Sequence, residues 1–157
     1  MPRRKVAAKR EILPDPIYNS VLVSKFINCI MEKGKKGVAE QIVYKALDII
    51  SNKMKTDNPL DLFVQAIEKA KPVLEVKSRR IGGATYQVPI EIREERRLAL
   101  AFRWLKNYSV SKKGREMADR LADELMGTIK GESATAKKRE DTHKMADANK
   151  AFAHYRW

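Results

Sequence analysis

The chain has 157 residues, with 33 Lys and Arg against 20 Asp and Glu, a formal net charge of +13. One domain of that length buries roughly two thirds of the surface its unfolded chain exposes, and its charge favours polyanionic partners, nucleic acid ahead of acidic membranes. The longest apolar run, 98–102, falls far short of the about 20 residues a spanning helix needs. The basic first ten residues lack a secretory apolar core and Cys29 stands alone, which predicts a reducing, cytoplasmic setting with no membrane partner.

Residues 1–12 carry Arg3, Arg4, Lys5, Lys9 and Arg10 with no acid before Glu11, and read as a flexible basic arm. Beyond Pro14 and Pro16, Asn19 or Ser20 can cap a helix through Val23, Phe26, Ile27, Ile30 and Met31 that ends near Gly34. A second helix from about Gly37 aligns Ala39, Ile42, Val43, Ala46, Leu47, Ile50 and Met54 on one face. Asn58 before Pro59 starts a third, with Phe63, Ala66, Ile67 and Ala70, which Pro72 stops. Leu98, Ala101, Phe102 and Leu105 define a fourth; Ala118, Leu121, Ala122, Leu125, Met126 and Ile129 define a fifth, ending near Gly131. Residues 133–157 read as a surface helix and tail with a thin stripe of Met145, Ala148 and Phe152. No internal repeat or interior linker interrupts this pattern. The expected fold is all-α, about six helices around a single core in one domain, with one protruding β-hairpin over 73–92.

The hairpin is signalled by two β-prone runs, Val73 to Ile81 and Ala84 to Ile92, flanking Gly82-Gly83, residues that accept the positive φ of a tight turn. A two-residue loop sets Arg79 opposite Tyr86 and Lys77 opposite Val88. Pro89 donates no ladder hydrogen bond, which suits an outward-facing edge. An isolated two-stranded ribbon is marginal in water, so its outer half needs a stabilising partner. Leu74, Val76, Ile90 and Ile92 are apolar enough to root the ribbon, whereas Lys77, Arg79, Arg80, Thr85 and Gln87 suit a polar, negative partner. An ordinary solvated hairpin explains the ribbon about as well, and the total charge favours a nucleic-acid arm.

Lys33 to Gly37 join the first two helices, and a glycine-rich turn beside a helix N-terminus favours phosphate; taken singly, a solvated turn is equally common. The spacing is not that of a Walker A loop. Lys112, Lys113 and Arg115 cluster before the fifth helix, an unfavourable end for cations without an anion. Arg93, Arg96, Arg97 and Arg103, among Glu94 and Glu95, read mainly as intrahelical pairs. No enzyme is expected and no cofactor or metal: His143 and His154 are the only histidines and no cysteine accompanies them. Cys29 reads as a small core residue.

Three stretches, DPIYNSVLVSKFINCIMEKGKKGVAEQIVYKAL (15–47), EVKSRRIGGATYQVPIEIR (75–93) and HKMADANKAFAHYRW (143–157), closely resemble the small-subunit ribosomal protein S-seven family in its bacterial form. The resemblance implies six helices with a protruding hairpin. It also implies a primary binder of small-subunit ribosomal RNA that nucleates assembly of the subunit head, among neighbouring proteins of head and platform. By that resemblance Arg3, Arg4, Lys5, Lys9, Arg10, Lys35, Lys36, Arg79, Arg80, Lys112, Lys113 and Arg115 face ribosomal RNA. Arg80, Ile81, Gly82, Gly83 and Ala84 at the ribbon tip, with His154, Tyr155 and Arg156, lie near the exit-site transfer RNA and the messenger RNA path. A thin ribbon and a basic arm can enter RNA clefts closed to a compact body, gaining order there, with Tyr86 or Tyr155 free to stack. The alternatives are an architectural DNA-binding protein, whose arms usually carry an apolar wedge where this one has Gly82-Gly83, and an RNA-modifying enzyme, for which the motifs are missing.

Overall fold

The computed structural model describes residues 10–155, so Arg3, Arg4, Lys5, Lys9 and Arg156 lie outside the described residues. Its elements run α1 (Val21–Ile30), α2 (Lys36–Met54), α3 (Pro59–Ala70), β1 (Leu74–Ile81), β2 (Ala84–Glu91), α4 (Glu94–Ser111), α5 (Met117–Lys130), α6 (Ala134–Ala148) and a closing 3-10 helix, Lys150–Tyr155. The all-α body with a single ribbon is the expected one.

Phe26, whose ring centroid lies 5.2 Å from that of Phe63 and 5.1 Å from that of Phe102, joins α1, α3 and α4 at the core. The apolar stripes read from the sequence are the buried faces: Val23, Phe26 and Ile27 of α1, Val43, Leu47 and Ile50 of α2, Phe63 and Ile67 of α3, Leu105 of α4 and Leu121 and Leu125 of α5. α5 packs on α2, α3, α4 and α6, which is why its small residues Ala118 and Ala122 are buried with the larger ones. Ser20 and Asn58 occupy N-cap positions as expected, but neither side chain accepts a backbone N–H of its helix, whereas the Ser133 hydroxyl accepts the Ala136 N–H at the start of α6. The Asn58 amide donates to Asp61 instead, at 2.9 Å.

The ribbon has the predicted register, Arg79 opposite Tyr86 and Lys77 opposite Val88, set by Gly82 and Gly83 at φ of 56° and 91°. Its root differs from expectation. Val88 and Pro89, which point to opposite faces of β2, are both buried; Pro89 lies on an edge strand of the two-stranded sheet as expected, but its side chain is covered. Cover comes from α6, which contacts both strands, and from the 3-10 helix, which contacts β2. Arg96 of α4 adds a bidentate pair to Glu75 of β1, both bonds 2.8 Å.

α6 docks through a different face from the expected one. Met145 is 52% exposed and Ala148 is exposed, whereas Thr135 and Ala146 are buried and Arg139 and His143 half-buried between them. The attachments are polar: Arg139 donates to the Lys69 carbonyl at 2.8 Å, and His143 Nε2 accepts the Val73 N–H at 2.9 Å. A helix docked this way shows no apolar period, and hydropathy alone cannot find its face.

Candidate nucleic-acid interface

The turn between α1 and α2 is built on two left-handed residues, Lys33 at φ 52° and Gly34 at φ 76°. That geometry leaves Lys33, Gly34, Lys35 and Lys36 all exposed, with no acidic side chain in the first turn of α2. Lys36 pairs loosely with Glu40 at 3.6 Å. A helix start whose first turn carries cations and no acid attracts phosphate through its N–H groups and the helix dipole.

The turn between α4 and α5 is more constrained. Lys112 Nζ lies 2.7 Å from Glu124, a carboxylate with no accessible side-chain surface. Arg115 pairs with Asp123 at 3.1 Å, and Arg120 donates to the carbonyls of Val110 and Lys112. Gly114, at φ 89°, permits the reversal. The anion that the basic cluster called for at this helix start is thus supplied partly from within, while Lys113 remains exposed. Glu124 also accepts from Thr135, from its N–H at 2.9 Å and from its hydroxyl at 2.8 Å. Burial pushes the Glu124 carboxyl up, but the bonds from Lys112 and Thr135 outweigh it and hold the carboxyl below its ordinary value.

At the ribbon, Arg79 is half-buried beside Tyr86, while Arg80, Gly82, Gly83 and Ala84 are exposed and Ile81 half-exposed. Tyr86 is not presented for stacking on a base. Its ring packs on Phe152 at 5.2 Å and on Tyr155 at 5.5 Å, and His154 lies 3.9 Å from Tyr155. The ribbon and the C-terminal 3-10 helix therefore form one aromatic cluster, which brings His154 and Tyr155 to the ribbon's outer half. The partner that this half needed comes first from the chain itself.

Sequence reasoning passed over Lys25 and gave Arg103 an intrahelical role. A groove of about 720 Å³ is lined by Arg10, Ile12, Lys25 and Leu98 among others, and a second of about 390 Å³ by Cys29, Arg103, Lys106 and Asn107; Ala99 and Phe102 border both. Arg97 pairs with Glu94 at 3.5 Å as expected, but Arg103 is exposed and has no intrahelical partner. The signal was available only as two basic positions opposite two apolar stripes; that α1 and α4 are neighbours is a tertiary fact. Among the described residues Lys25, Lys33, Lys35, Arg80, Arg103 and Lys113 have no carboxylate at ion-pair distance.

The family model for ribosomal protein S7p/S5e matches residues 2–150. The chain belongs to this family. Relatives named small ribosomal subunit protein uS7 are similar over their entire lengths and over all of this chain: 59% identical in Hahella chejuensis, 58% in Syntrophobacter fumaroxidans and 55% in Desulfotalea psychrophila. Membership in the S7p/S5e family makes the chain a structural, RNA-binding component of the ribosome rather than an enzyme. No three metal-ligating side chains cluster among the described residues, and both histidines have local roles, His143 at the Val73 N–H and His154 with its Nδ1 2.9 Å from the Ala151 carbonyl. No helix among the described residues is long and apolar enough to cross a membrane.

Proposed function

We propose that the chain is a primary binder of small-subunit ribosomal RNA in the cytoplasmic ribosome and nucleates assembly of the subunit head. It contacts RNA through Arg3, Arg4, Lys5, Lys9 and Arg10 of the arm, Lys35 and Lys36, Arg79 and Arg80, and the 112–115 turn. In that turn Lys113 is the direct contact, while Lys112 and Arg115 hold the shape. The tip, Arg80 to Ala84, with His154, Tyr155 and Arg156, faces the exit-site transfer RNA and the messenger RNA path, and proteins of head and platform adjoin it. The observation that carries the reading is the set of cations left without carboxylate partners at both interhelical turns and at the ribbon tip. Unpaired surface cations in a strongly basic chain gain most by displacing counterions from a folded polyanion.

The test is binding of the full chain to a transcribed head-domain fragment of small-subunit ribosomal RNA across a salt series. The expected result is a steep linear fall of log affinity with log salt, and preference for this RNA over duplex DNA at equal concentration. Equal competition by duplex DNA would refute the reading.

A further inference from the structure

Between the two basic turns lies an apolar cleft of about 250 Å³ whose walls are Ile30 of α1, Val38 and Ile42 of α2, Val110 of α4 and Met117 of α5. Val38 and Val110 are 53% and 51% exposed, so two branched aliphatic side chains remain open to water on a surface otherwise rich in lysine. The polar members of the lining are Lys35, Glu32 and Lys106. Lys106 is committed within the fold, to Glu32 at 3.2 Å and to the Cys29 carbonyl at 3.1 Å, which fixes the Glu32 carboxylate beside the cleft. Lys35 is exposed and uncommitted.

We propose that this cleft receives one unpaired nucleobase of the bound RNA, with Val38 and Val110 against its faces, Glu32 accepting from its exocyclic amino group and Lys35 holding an adjoining phosphate. The proposal rests on the RNA-binding reading above and adds a subsite to it. The volume lies just below the range of pockets that hold drug-sized ligands, which fits a single flat ring and excludes a helix. A base has apolar faces and a polar edge, the distribution this lining presents, and splayed single-stranded bases are the part of folded RNA that proteins read most directly. An aliphatic side chain from a protein partner would match the walls. It would also bring a neutral surface against Lys35, desolvating that cation without pairing it. A phosphate flanking a base meets the same lysine with opposite charge.

The experiment uses the full chain and the head-domain RNA fragment, comparing Val38→Gln, Val110→Gln and, as a control on α3, Val64→Gln, a valine 37% exposed. Each cleft substitution is expected to weaken binding by roughly five- to tenfold through lost apolar contact, with the salt slope unchanged because no phosphate contact is removed. Val64→Gln is expected to bind as the parent does. A photoreactive side chain at position 110 in assembled subunits is expected to crosslink to one nucleotide. Retained affinity in both cleft variants, or a crosslink to protein, overturns the subsite while the RNA-binding reading stands if Lys35→Ala still lowers the slope. Failure of the parent chain to bind the fragment overturns both.

Discussion

Asp15 and Glu124 are withdrawn from water in a chain with a formal charge of +13, and each fixes a basic segment. Asp15, between two prolines, accepts the N–H groups of Ile17 at 3.2 Å and Tyr18 at 3.1 Å and the Tyr44 hydroxyl at 2.7 Å. Burial, reinforced by the bond to Asp15, raises the Tyr44 hydroxyl well above its ordinary value, so it remains a donor. The root of the arm is thereby pinned to α2. Asp15→Ala is expected to cost about 1 kcal/mol, the effect of removing a buried acceptor from three part-buried donors, read as a lower urea midpoint. Glu124 does the equivalent work for the second basic turn. Its folded carboxyl titrates below the ordinary 4.5, so the unfolded chain binds the proton more readily. Its stabilisation is therefore complete above about pH 4.5 and is lost as pH falls through the lower, folded value. Glu124→Gln should flatten the acid limb of stability against pH; an unchanged limb would remove Glu124 as its source.

Among the elements, α6 is the least self-evident, because it is held by donors and acceptors instead of a stripe. Burial, aided by the nearby Arg139 charge, lowers the His143 imidazole below its ordinary 6.5, and only its neutral form accepts the Val73 N–H. The contribution is intact above pH 6.5 and is lost as pH falls through the lowered folded value. The protection factor of the Val73 amide, taken relative to its intrinsic exchange rate, should fall in that window, and His143→Phe should abolish that pH dependence. The ribbon's other support is aromatic: Phe152→Ala removes one ring of the Tyr86 cluster, worth roughly 0.5–1.5 kcal/mol beyond area. Its signature is several-fold faster exchange along Arg79 to Tyr86 with the helical core unchanged. These two contacts also mark where sequence reading stops. Stripes such as Val43, Leu47 and Ile50 carry their own period, and Gly82-Gly83 fixes register through φ, so the six helices, the buried faces of five of them and the ribbon were legible. The pairing of Tyr86 with Phe152 and Tyr155 crosses more than sixty positions, and His143 meets Val73 through a single nitrogen; neither leaves a periodic trace.

Over the whole molecule, the sign of the net charge says less about recognition than which cations the fold has already used. Lys45, Lys53, Lys71, Arg96 and Lys106 are tied to carboxylates on other elements, so they act first within the fold, and exposed pairs of that kind add little stability. Of the cations without a carboxylate partner, Lys33, Lys35, Arg80 and Lys113 stand at the turns and the ribbon tip, where the family relationship leads one to expect RNA. Neighbouring lysines of one turn separate the two roles. Lys113 is exposed with no carboxylate partner, whereas Lys112 neutralises Glu124 through a side chain 37% exposed. Lys113→Ala should lower the slope of log affinity against log salt by about 0.7 to 0.9, one phosphate contact, at unchanged stability. Lys112→Ala leaves a buried carboxylate short of a donor and should cost about 1 to 2 kcal/mol, reduced from a fully buried pair because solvent reaches the lysine. Its slope should change less than that of Lys113→Ala. Equal slopes would mean that the RNA draws Lys112 away from Glu124 on binding, leaving Thr135 alone to hold that carboxylate.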